Sequence, residues 1–275
     1  MYKRILLALD LEGVNNVVGE PYVGLGKETE GWYIARAQAV LEVNAAAEAL
    51  FEAGAVKVAL WDNHGGGNNV DPALLDKRIE LIDAAASHPR MCFAKDNFDC
   101  ICFFGYHAME GTLGGVLAHT MNSKVVQYYK LNGRYIGEVD MDSYIAASYD
   151  MPSRFFAGGN IACSQARVAV PEIITVETKK ELERNKAVFR NNNELFDDIK
   201  NNIVKAVRDD AEVKCLEYPA VFEKSFKRVE DAAKYLAKLN TLSIVAEHPV
   251  DEILGRDAHT VKSVVNNIEE FIKCI

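Results

Sequence analysis

The stretch DCICFFGYH, from Asp99 to His107, is apolar throughout between its two polar ends. A run without polar alternation is typical of a strand that is buried on both faces, as in parallel sheets. Cys100 and Cys102 are two positions apart, so in a strand their thiols share one face and pack as small hydrophobic groups. The stretch therefore predicts an interior strand of a sheet covered on both sides.

Further apolar runs lie on either side of this strand and alternate with segments of helical spacing. The extended runs are RILLALD (4–10), VKVALWD (56–62) and SRFFAGG (153–159). Helical spacing marks 35–55 and 140–150, and 71–86 mixes helical spacing with a short strand-like piece. Asn132-Gly133 predicts a hairpin between two extended runs. This alternation predicts an α/β protein with a mostly parallel sheet covered by helices on both faces.

The last third of the chain is more polar and more helical in its spacing. Helices are predicted over 181–207, 229–239 and 261–275. We therefore expect two regions, a metal-binding α/β catalytic region at 1–160 and a C-terminal α/β or helical lobe at 161–275.

Composition argues against several classes of partner. The 275 residues carry a net charge of −9, and the basic residues are scattered, which disfavours nucleic acid and anionic membrane surfaces. The apolar run at the N-terminus spans only Ile5–Leu9, too short for a signal peptide or a membrane span. Six cysteines without a secretion signal fit reduced thiols. We expect a cytoplasmic protein.

Side chains able to bind a metal follow three of the apolar strands. They are Asp10 and Glu12 after the first, Asp62 and His64 after the second, and His107 after the third. The carboxyl ends of parallel strands meet at one edge of a sheet, so these groups should converge there. Glu138, just past the hairpin, is a candidate third carboxylate.

Imidazoles and carboxylates without thiolates suit zinc in a catalytic site, and also manganese or iron. The positive charge of two divalent ions would be largely balanced by three carboxylates, so a site with two ions is chemically plausible. Each residue alone also has an ordinary explanation: Asp62, for example, could orient His64 or simply form a turn. His88, His248 and His259 are interpreted as surface or hydrogen-bonded histidines.

Several motifs together resemble the zinc-dependent D-aminopeptidases of the dipeptide-transport type (DppA-like metallopeptidases). They are LDLEGV, WDNHGGGNN, FFGYHAMEGTLGGVLAHTMN and LNGRYIGEVDMDSYIAASYDMPSRFFAGG, in order across residues 5–160. Two departures stand out: Asn63 precedes His64 where the family often has serine, and Asn160 lies where relatives have an Asp-rich turn.

The resemblance implies an aminopeptidase that acts on small peptides or amides with an N-terminal D-residue, and a homo-oligomer such as a ring. It implies two zinc ions bound by Asp10, Glu12, His64, His107 and Glu138. It places His119 beside the metals as the catalytic residue, as an acid/base or as a nucleophile.

Other functions remain open at this point. A binuclear metal amidohydrolase or esterase with a different small substrate would use the same ligands. HGGG (64–67) with Ser164 resembles the oxyanion loop and nucleophile of a serine hydrolase, although the flanking glycines of the nucleophile motif are absent. GLGKET (24–29) lacks the spacing of a phosphate-binding loop. A binding or structural role for the metal site is a further alternative.

Overall fold

A computed structural model describes residues 1–83, 88–251, 253 and 255–275 of the chain. Its helices in this part of the chain are α1 (Glu30–Glu52), α2 (Glu138–Ala147), α3 (Asn160–Ala169), α4 (Asn192–Arg208), α5 (Val229–Thr241) and α6 (Ile268–Cys274). Its strands are β1 (Arg4–Leu9), β2 (Lys57–Asp62), β3 (Glu80–Leu81), β4 (Cys100–Tyr106), β5 (Val126–Leu131), β6 (Arg134–Ile136), β7 (Ser153–Gly158), β8 (Ile174–Glu177), β9 (Lys179–Glu183), β10 (Lys186–Phe189), β11 (Ala220–Phe226), β12 (Ala246–Glu247), β13 (Val250–Asp251), β14 (Gly255–Arg256) and β15 (Thr260–Val265).

Six parallel strands form the main sheet in the order β3-β2-β1-β4-β7-β8. The central strands β1 and β4 are paired in register from Ile5 opposite Cys100 to Leu9 opposite Phe104. Every residue of β4 is buried, as its unbroken apolar sequence predicts. The α/β fold class with a mostly parallel sheet is confirmed.

Two hydrophobic cores lie on opposite faces of this sheet. On one face, Leu7, Leu60 and Phe104 pack under helices α1 and α4. On the other face, Leu6, Trp61 and similar side chains pack under α2, α3 and a second sheet. Alternate side chains of one strand point to opposite faces, so a fully apolar strand supplies both cores.

The second sheet is antiparallel, in the order β12-β15-β11-β5-β6. The hairpin between β5 and β6 turns at Asn132 and Gly133, which both have positive φ, 49° and 80°. Two positive φ values are the signature of the turn that favours Asn-Gly. The predicted hairpin is therefore confirmed, and its sheet covers one face of the parallel sheet.

Two of the predicted helices are wrong in part. Residues 181–190 are the end of β9, a tight turn and β10, and α4 begins only after Asn191, whose side chain accepts from the amides of Asn193 and Glu194. Likewise, 261–265 belong to β15, where Val261, Ser263 and Val265 alternate inward, and Asn267 caps α6. In both cases an asparagine cap, rather than the polar spacing, marks the true start of the helix.

Strands from both sides of residue 160 contribute to each sheet. Within the described residues, α3 and β8 belong to the layer of the parallel sheet, whereas β5 and β6 belong to the antiparallel sheet. The division at residue 160 stays a prediction.

In the segment 71–86, the structure has a 3-10 turn at Pro72–Leu74 and strand β3, and residues 84–86 lie outside the described residues. Among the described helices, none is long and apolar enough to cross a membrane.

Candidate metal centre

The five predicted ligands lie together at the carboxyl edge of the parallel sheet. Asp10 follows β1 directly, His64 opens a single 3-10 turn (His64–Gly66) after β2, and His107 follows β4 directly. Glu138 is the first residue of α2, and its Oε1 accepts from the amide of Met121 at 2.7 Å. The parallel arrangement brings ends that are distant in sequence to one place.

One half of the centre is formed by His64 and two carboxylates. The Nδ1 atom of His64 lies 2.9 Å from Asp10 Oδ1 and 3.1 Å from Glu12 Oε2. Asp10 and Glu12 are buried, whereas the His64 side chain retains a small exposed fraction. One imidazole nitrogen thus faces two carboxylate oxygens, a donor set that suits a divalent ion.

The other half is formed by His107, which is fully enclosed. Its Nδ1 donates to the carbonyl of Ala108 at 3.0 Å, which directs Nε2 toward the carboxylates. Nε2 lies 3.3 Å from Asp10 Oδ2 and 3.4 Å from Glu138 Oε1. This nitrogen is buried and makes no hydrogen bond with the described residues. A buried imidazole nitrogen without a hydrogen bond, facing two carboxylates, fits a metal ligand.

His119 stacks on His107 with ring centroids 3.9 Å apart and planes inclined by 9°. Its Nδ1 donates to the carbonyl of Leu117 at 2.8 Å, and its Nε2 lies 4.0 Å from Glu138 Oε1. Two groups of possible ligands therefore overlap, one with Asp10, Glu12 and His107 and one with His107, His119 and Glu138. His119 lies close enough to bind a metal, so geometry alone does not separate a ligand from an acid/base.

The electrostatics of the centre follow from this proximity. Burial disfavours the ionised form of Asp10, but the imidazoles of His107 and His64 outweigh it and hold its pKa well below the usual value. Burial likewise opposes ionisation of Glu138, and the nearby His107 nevertheless lowers its pKa. Burial opposes protonation of His64, yet Glu12 and Asp10 raise its pKa to about 11. The carboxylates of Asp10 and Glu138 are thus ionised at neutral pH, and a divalent ion can balance their charge in place of protons.

The centre opens into a cleft of about 510 Å³. Its lining includes four of the candidate ligands (Asp10, Glu12, His64 and Glu138), His119 and residues 23–26, together with three basic residues, Arg90, Lys124 and Arg184. A cleft of this size lies within the range of small-molecule sites. Its acidic and basic groups offer complementary contacts for a substrate that carries both charges.

Arg90 belongs to a buried network that the sequence did not reveal. Its guanidinium binds both oxygens of Asp142 at 2.6 and 2.8 Å and donates to Asn63 Oδ1 at 2.9 Å. The Tyr106 hydroxyl donates to Asp142 at 2.7 Å and accepts from Asn63 at 3.0 Å. Asn63, one of the departures from the family pattern, thus fixes the loop that carries His64. The only sequence signal was the occurrence of Asn63 and Tyr106 beside two candidate ligands.

Two glycines bring the ends of β1 and β4 into contact. Gly105 has φ +69°, and a Cβ there would lie 1.9 Å from the carbonyl oxygen of Asp10. The amide of Gly13 donates to the carbonyl of Gly105 at 2.6 Å. The glycine in the FFGYH motif is therefore required for the close approach of Asp10 to His107.

The remaining candidates have ordinary roles. Asp62 accepts from the amides of Asn69 and Val70 and from the Asn69 side chain, which also donates to the His64 carbonyl, so Asp62 holds the loop after β2 through Asn69 rather than through a local turn or the His64 ring. Ser164 lies inside α3, and its hydroxyl donates to the carbonyl of Asn160. This places Ser164 on a helix rather than at a strand-to-helix turn, which argues against a serine nucleophile. His248 and His259 bind backbone carbonyls of the antiparallel sheet region.

Comparisons with known proteins give the family of this chain. A family model described as D-aminopeptidase matches residues 3–269. The curated D-aminopeptidase of Bacillus subtilis (strain 168) is 28% identical over 182 residues, which span 66% of this chain and 65% of that protein. This chain therefore matches just under two thirds of the length of that curated relative.

The fold also matches a solved structure. The Zn-dependent D-aminopeptidase DppA from Bacillus subtilis, described as a self-compartmentalizing protease, superposes with a TM-score of 0.83 at 23% identity. The match covers 98% of this chain and 94% of DppA. The resemblance read from the motifs is confirmed by a family model that spans nearly the whole chain, and this chain belongs to the D-aminopeptidase family.

Proposed function

We propose that this chain is a zinc-dependent aminopeptidase that hydrolyses short peptides or amides with an N-terminal D-amino acid at a dinuclear site. The observation that carries the proposal is the position of Asp10, whose Oδ1 faces His64 and whose Oδ2 faces His107. A carboxylate shared between two imidazoles suits a pair of ions. Family membership and the names of the two Bacillus subtilis relatives support zinc and a D-residue.

The residues divide into two sets around Asp10. His64 and Glu12 would hold one ion with Asp10 Oδ1, and His107 and Glu138 would hold the other with Asp10 Oδ2. When bound, zinc lowers the pKa of water and polarises the scissile carbonyl. Nitrogen and oxygen donors favour zinc, and manganese or iron would be recognised by elemental analysis.

His119 would transfer the proton in this reaction. The Leu117 carbonyl accepts from Nδ1, which leaves Nε2 as the nitrogen on the side of Glu138. The stacking on His107 fixes the ring next to the metal ligands. An imidazole held in one tautomer can take a proton from the nucleophile and deliver it to the leaving amine. A direct attack by His119 would instead leave a covalent acyl-histidine, which mass spectrometry of a quenched reaction would detect.

The charges of the cleft support a peptide with a free carboxylate as the substrate. Arg184 Nη1 donates to the carbonyl of Ala118, the residue before His119, at 2.7 Å. Arg184 lines the cleft and has no acidic partner among the described residues, unlike Arg90, which is paired with Asp142. Its guanidinium is therefore available for the carboxylate of a short peptide whose amino end lies at the acidic centre.

The decisive experiment combines metal content with substrate chirality. Purified protein is analysed for metal and assayed against matched D- and L-alanyl peptides and amides. We expect two zinc ions per chain and at least tenfold higher activity on the D-series. Activity on esters or other amides alone would favour the alternative, a binuclear hydrolase with a different small substrate. Bound zinc without any hydrolysis would favour a binding role.

We further propose a cytoplasmic homo-oligomer such as a ring. DppA is described as self-compartmentalizing. In this chain, Tyr22 and Leu113 are fully or almost fully exposed at 107% and 97%, and large exposed apolar side chains are typical of association surfaces. Light scattering coupled to size-exclusion chromatography tests this, because a monomer at micromolar concentration would contradict it.

A further inference from the structure

A buried lysine supports the loop that follows β1. Lys179, the first residue of β9, is 1% exposed. Its Nζ donates to the carbonyls of Glu12 at 2.5 Å, Val14 at 2.9 Å and Val17 at 2.6 Å. An ammonium has three protons, so these three carbonyls use its full donor capacity.

The same loop is held at a second point by the residue just before β9 and at a third point by β4. The hydroxyl of Thr178 donates to the carbonyl of Gly13 at 2.5 Å, and the amide of Gly13 donates to Gly105. Residues 12–17 form no strand or helix, so their carbonyls depend on such side-chain donors. The backbone on both sides of Glu12 is therefore fixed by β9 and β4.

The position of the charge argues for more than packing. Among the described residues, no carboxylate lies within ion-pair distance of Lys179 Nζ. Burying an ammonium without a direct counter-ion costs free energy, and a methionine would fill a similar volume without that cost. Lys179 is also not among the residues that line the cleft, so it has no route to the substrate.

We propose that Lys179 is a positioning residue of the metal centre, which fixes the backbone of residues 12–17 so that the Glu12 carboxylate meets His64. The inference rests on the proposed function only in taking Glu12 as a metal ligand. The ammonium acts through the backbone carbonyls to which it donates.

The test compares two buried lysines. Lys179→Met removes the contacts to the loop, and Lys224→Met is the matched control, because Lys224, on β11 of the antiparallel sheet, is also buried and its Nζ donates to the backbone oxygen of Ile275, after α6. Zinc affinity is measured on the full chain by competition with a chromogenic chelator. Removing a partner that orients a metal ligand typically weakens affinity about 10- to 100-fold. We expect that loss, in one of two zinc sites, for Lys179→Met and less than a threefold change for Lys224→Met.

A double substitution separates positioning from general destabilisation. In a Glu12→Gln background, Lys179→Met should lower zinc affinity by less than about twofold, because neighbouring residues that act through one group are not additive. Full additivity, or unchanged zinc affinity in Lys179→Met, overturns the proposal. If Lys179→Met does not fold, Thr178→Val replaces it, with an expected loss of about threefold to tenfold, and unchanged affinity again overturns the proposal.

The outcomes also separate this inference from the proposed function. Zinc binding that depends on Lys179 without any peptide hydrolysis would contradict the proposed function and leave the positioning role standing. Hydrolysis with zinc affinity independent of Lys179 would contradict the positioning role alone. A wild-type chain that binds no zinc would contradict both.

Discussion

The carboxyl edge of the parallel sheet and the interior of the antiparallel sheet handle buried charge in opposite ways. At the edge, carboxylates and imidazoles face one another, and His107 Nε2 has no hydrogen bond to any residue that the structure describes. In the antiparallel sheet, Lys224 is buried among the rings of Tyr129, Phe226 and Tyr235 and is satisfied by a chain carbonyl. Under the proposed function, the first region needs a metal ion to balance its carboxylates, whereas Lys224 has its partners within the protein. Substitutions at the edge should therefore change ion binding and turnover, and matched substitutions in the antiparallel sheet should change stability alone.

The largest effect is expected for Gly105→Ala. The new Cβ would lie 1.9 Å from the carbonyl oxygen of Asp10, in a backbone with φ +69°. Overpacking and backbone strain together should cost about 4 kcal/mol of unfolding free energy and abolish zinc binding. Urea unfolding and zinc stoichiometry measure both.

The control is Gly133→Ala in the hairpin, where φ is +80° but nothing lies within 4 Å of a Cβ. Strain alone should cost about 1 kcal/mol there and leave zinc bound. Equal losses in the two variants would remove the contrast between the regions.

The two stacked histidines should separate metal binding from turnover. His107→Ala removes the imidazole that faces Asp10 and Glu138, so we expect loss of at least one zinc together with activity. His119→Ala should retain both zinc ions and lower kcat about 100- to 10,000-fold, the range for loss of an acid/base. Elemental analysis beside steady-state kinetics distinguishes them, and equal metal loss in both variants would refute the division of roles.

Glu42→Gln should alter the pH dependence of stability. Burial raises the pKa of Glu42 to about 7, and its Oε2 has no hydrogen bond among the described residues. An acid whose pKa is raised in the folded state loses stability as pH rises from about 4.5 to 7, because the unfolded state ionises first. The variant should therefore gain about 3 kcal/mol at pH 8 and nothing at pH 4, measured by urea unfolding.

Lys224→Met provides the opposite case in the antiparallel sheet. Burial lowers the pKa of Lys224 to about 8. Between about pH 8 and 10.5, Lys224 holds its proton only in the unfolded state, so its contribution to the free energy of unfolding increases as the pH rises through this range. Glu42→Gln should flatten the stability curve on the acid side and Lys224→Met on the alkaline side. The same change from both variants would show that the two sites are not independent.

Arg184→Gln should produce the smallest effect. Loss of a charge-assisted hydrogen bond should raise KM for a peptide with a free carboxylate about 10- to 100-fold. KM for the matching C-terminal amide should change less than threefold. Lys130→Gln, on β5 of the antiparallel sheet, should leave both values unchanged. A parallel loss for acid and amide in Arg184→Gln would exclude carboxylate recognition.

The sequence revealed the features that depend on short-range pattern. Unbroken apolar runs located β1, β2 and β4, and Asn-Gly located the hairpin. Asp10, Glu12, His64 and His107 became candidate ligands because each stands near a strand end that the pattern had already marked. Once the strands were placed, parallel topology brought these ends together without any further information.

Features that depend on distant contacts were missed. The β9 and β10 hairpin has a polar sequence that also fits a helix, and it is held by the amide of Leu117, which donates to the carbonyl of Arg184. Buried charges such as Lys179 and Glu42 stand in ordinary polar surroundings in the sequence. Their burial arises from chain segments more than twenty residues away, which local pattern does not encode.

The position of the Asp10 carboxylate between His64 and His107 has a consequence for how zinc would bind. At the proposed dinuclear site, one side chain facing both His64 and His107 would link the two ion positions thermodynamically, so an ion on one side would change the charge and orientation offered to the other. Zinc uptake should therefore proceed in two steps of unequal affinity, and an Asp10→Asn protein should lose both steps together rather than one.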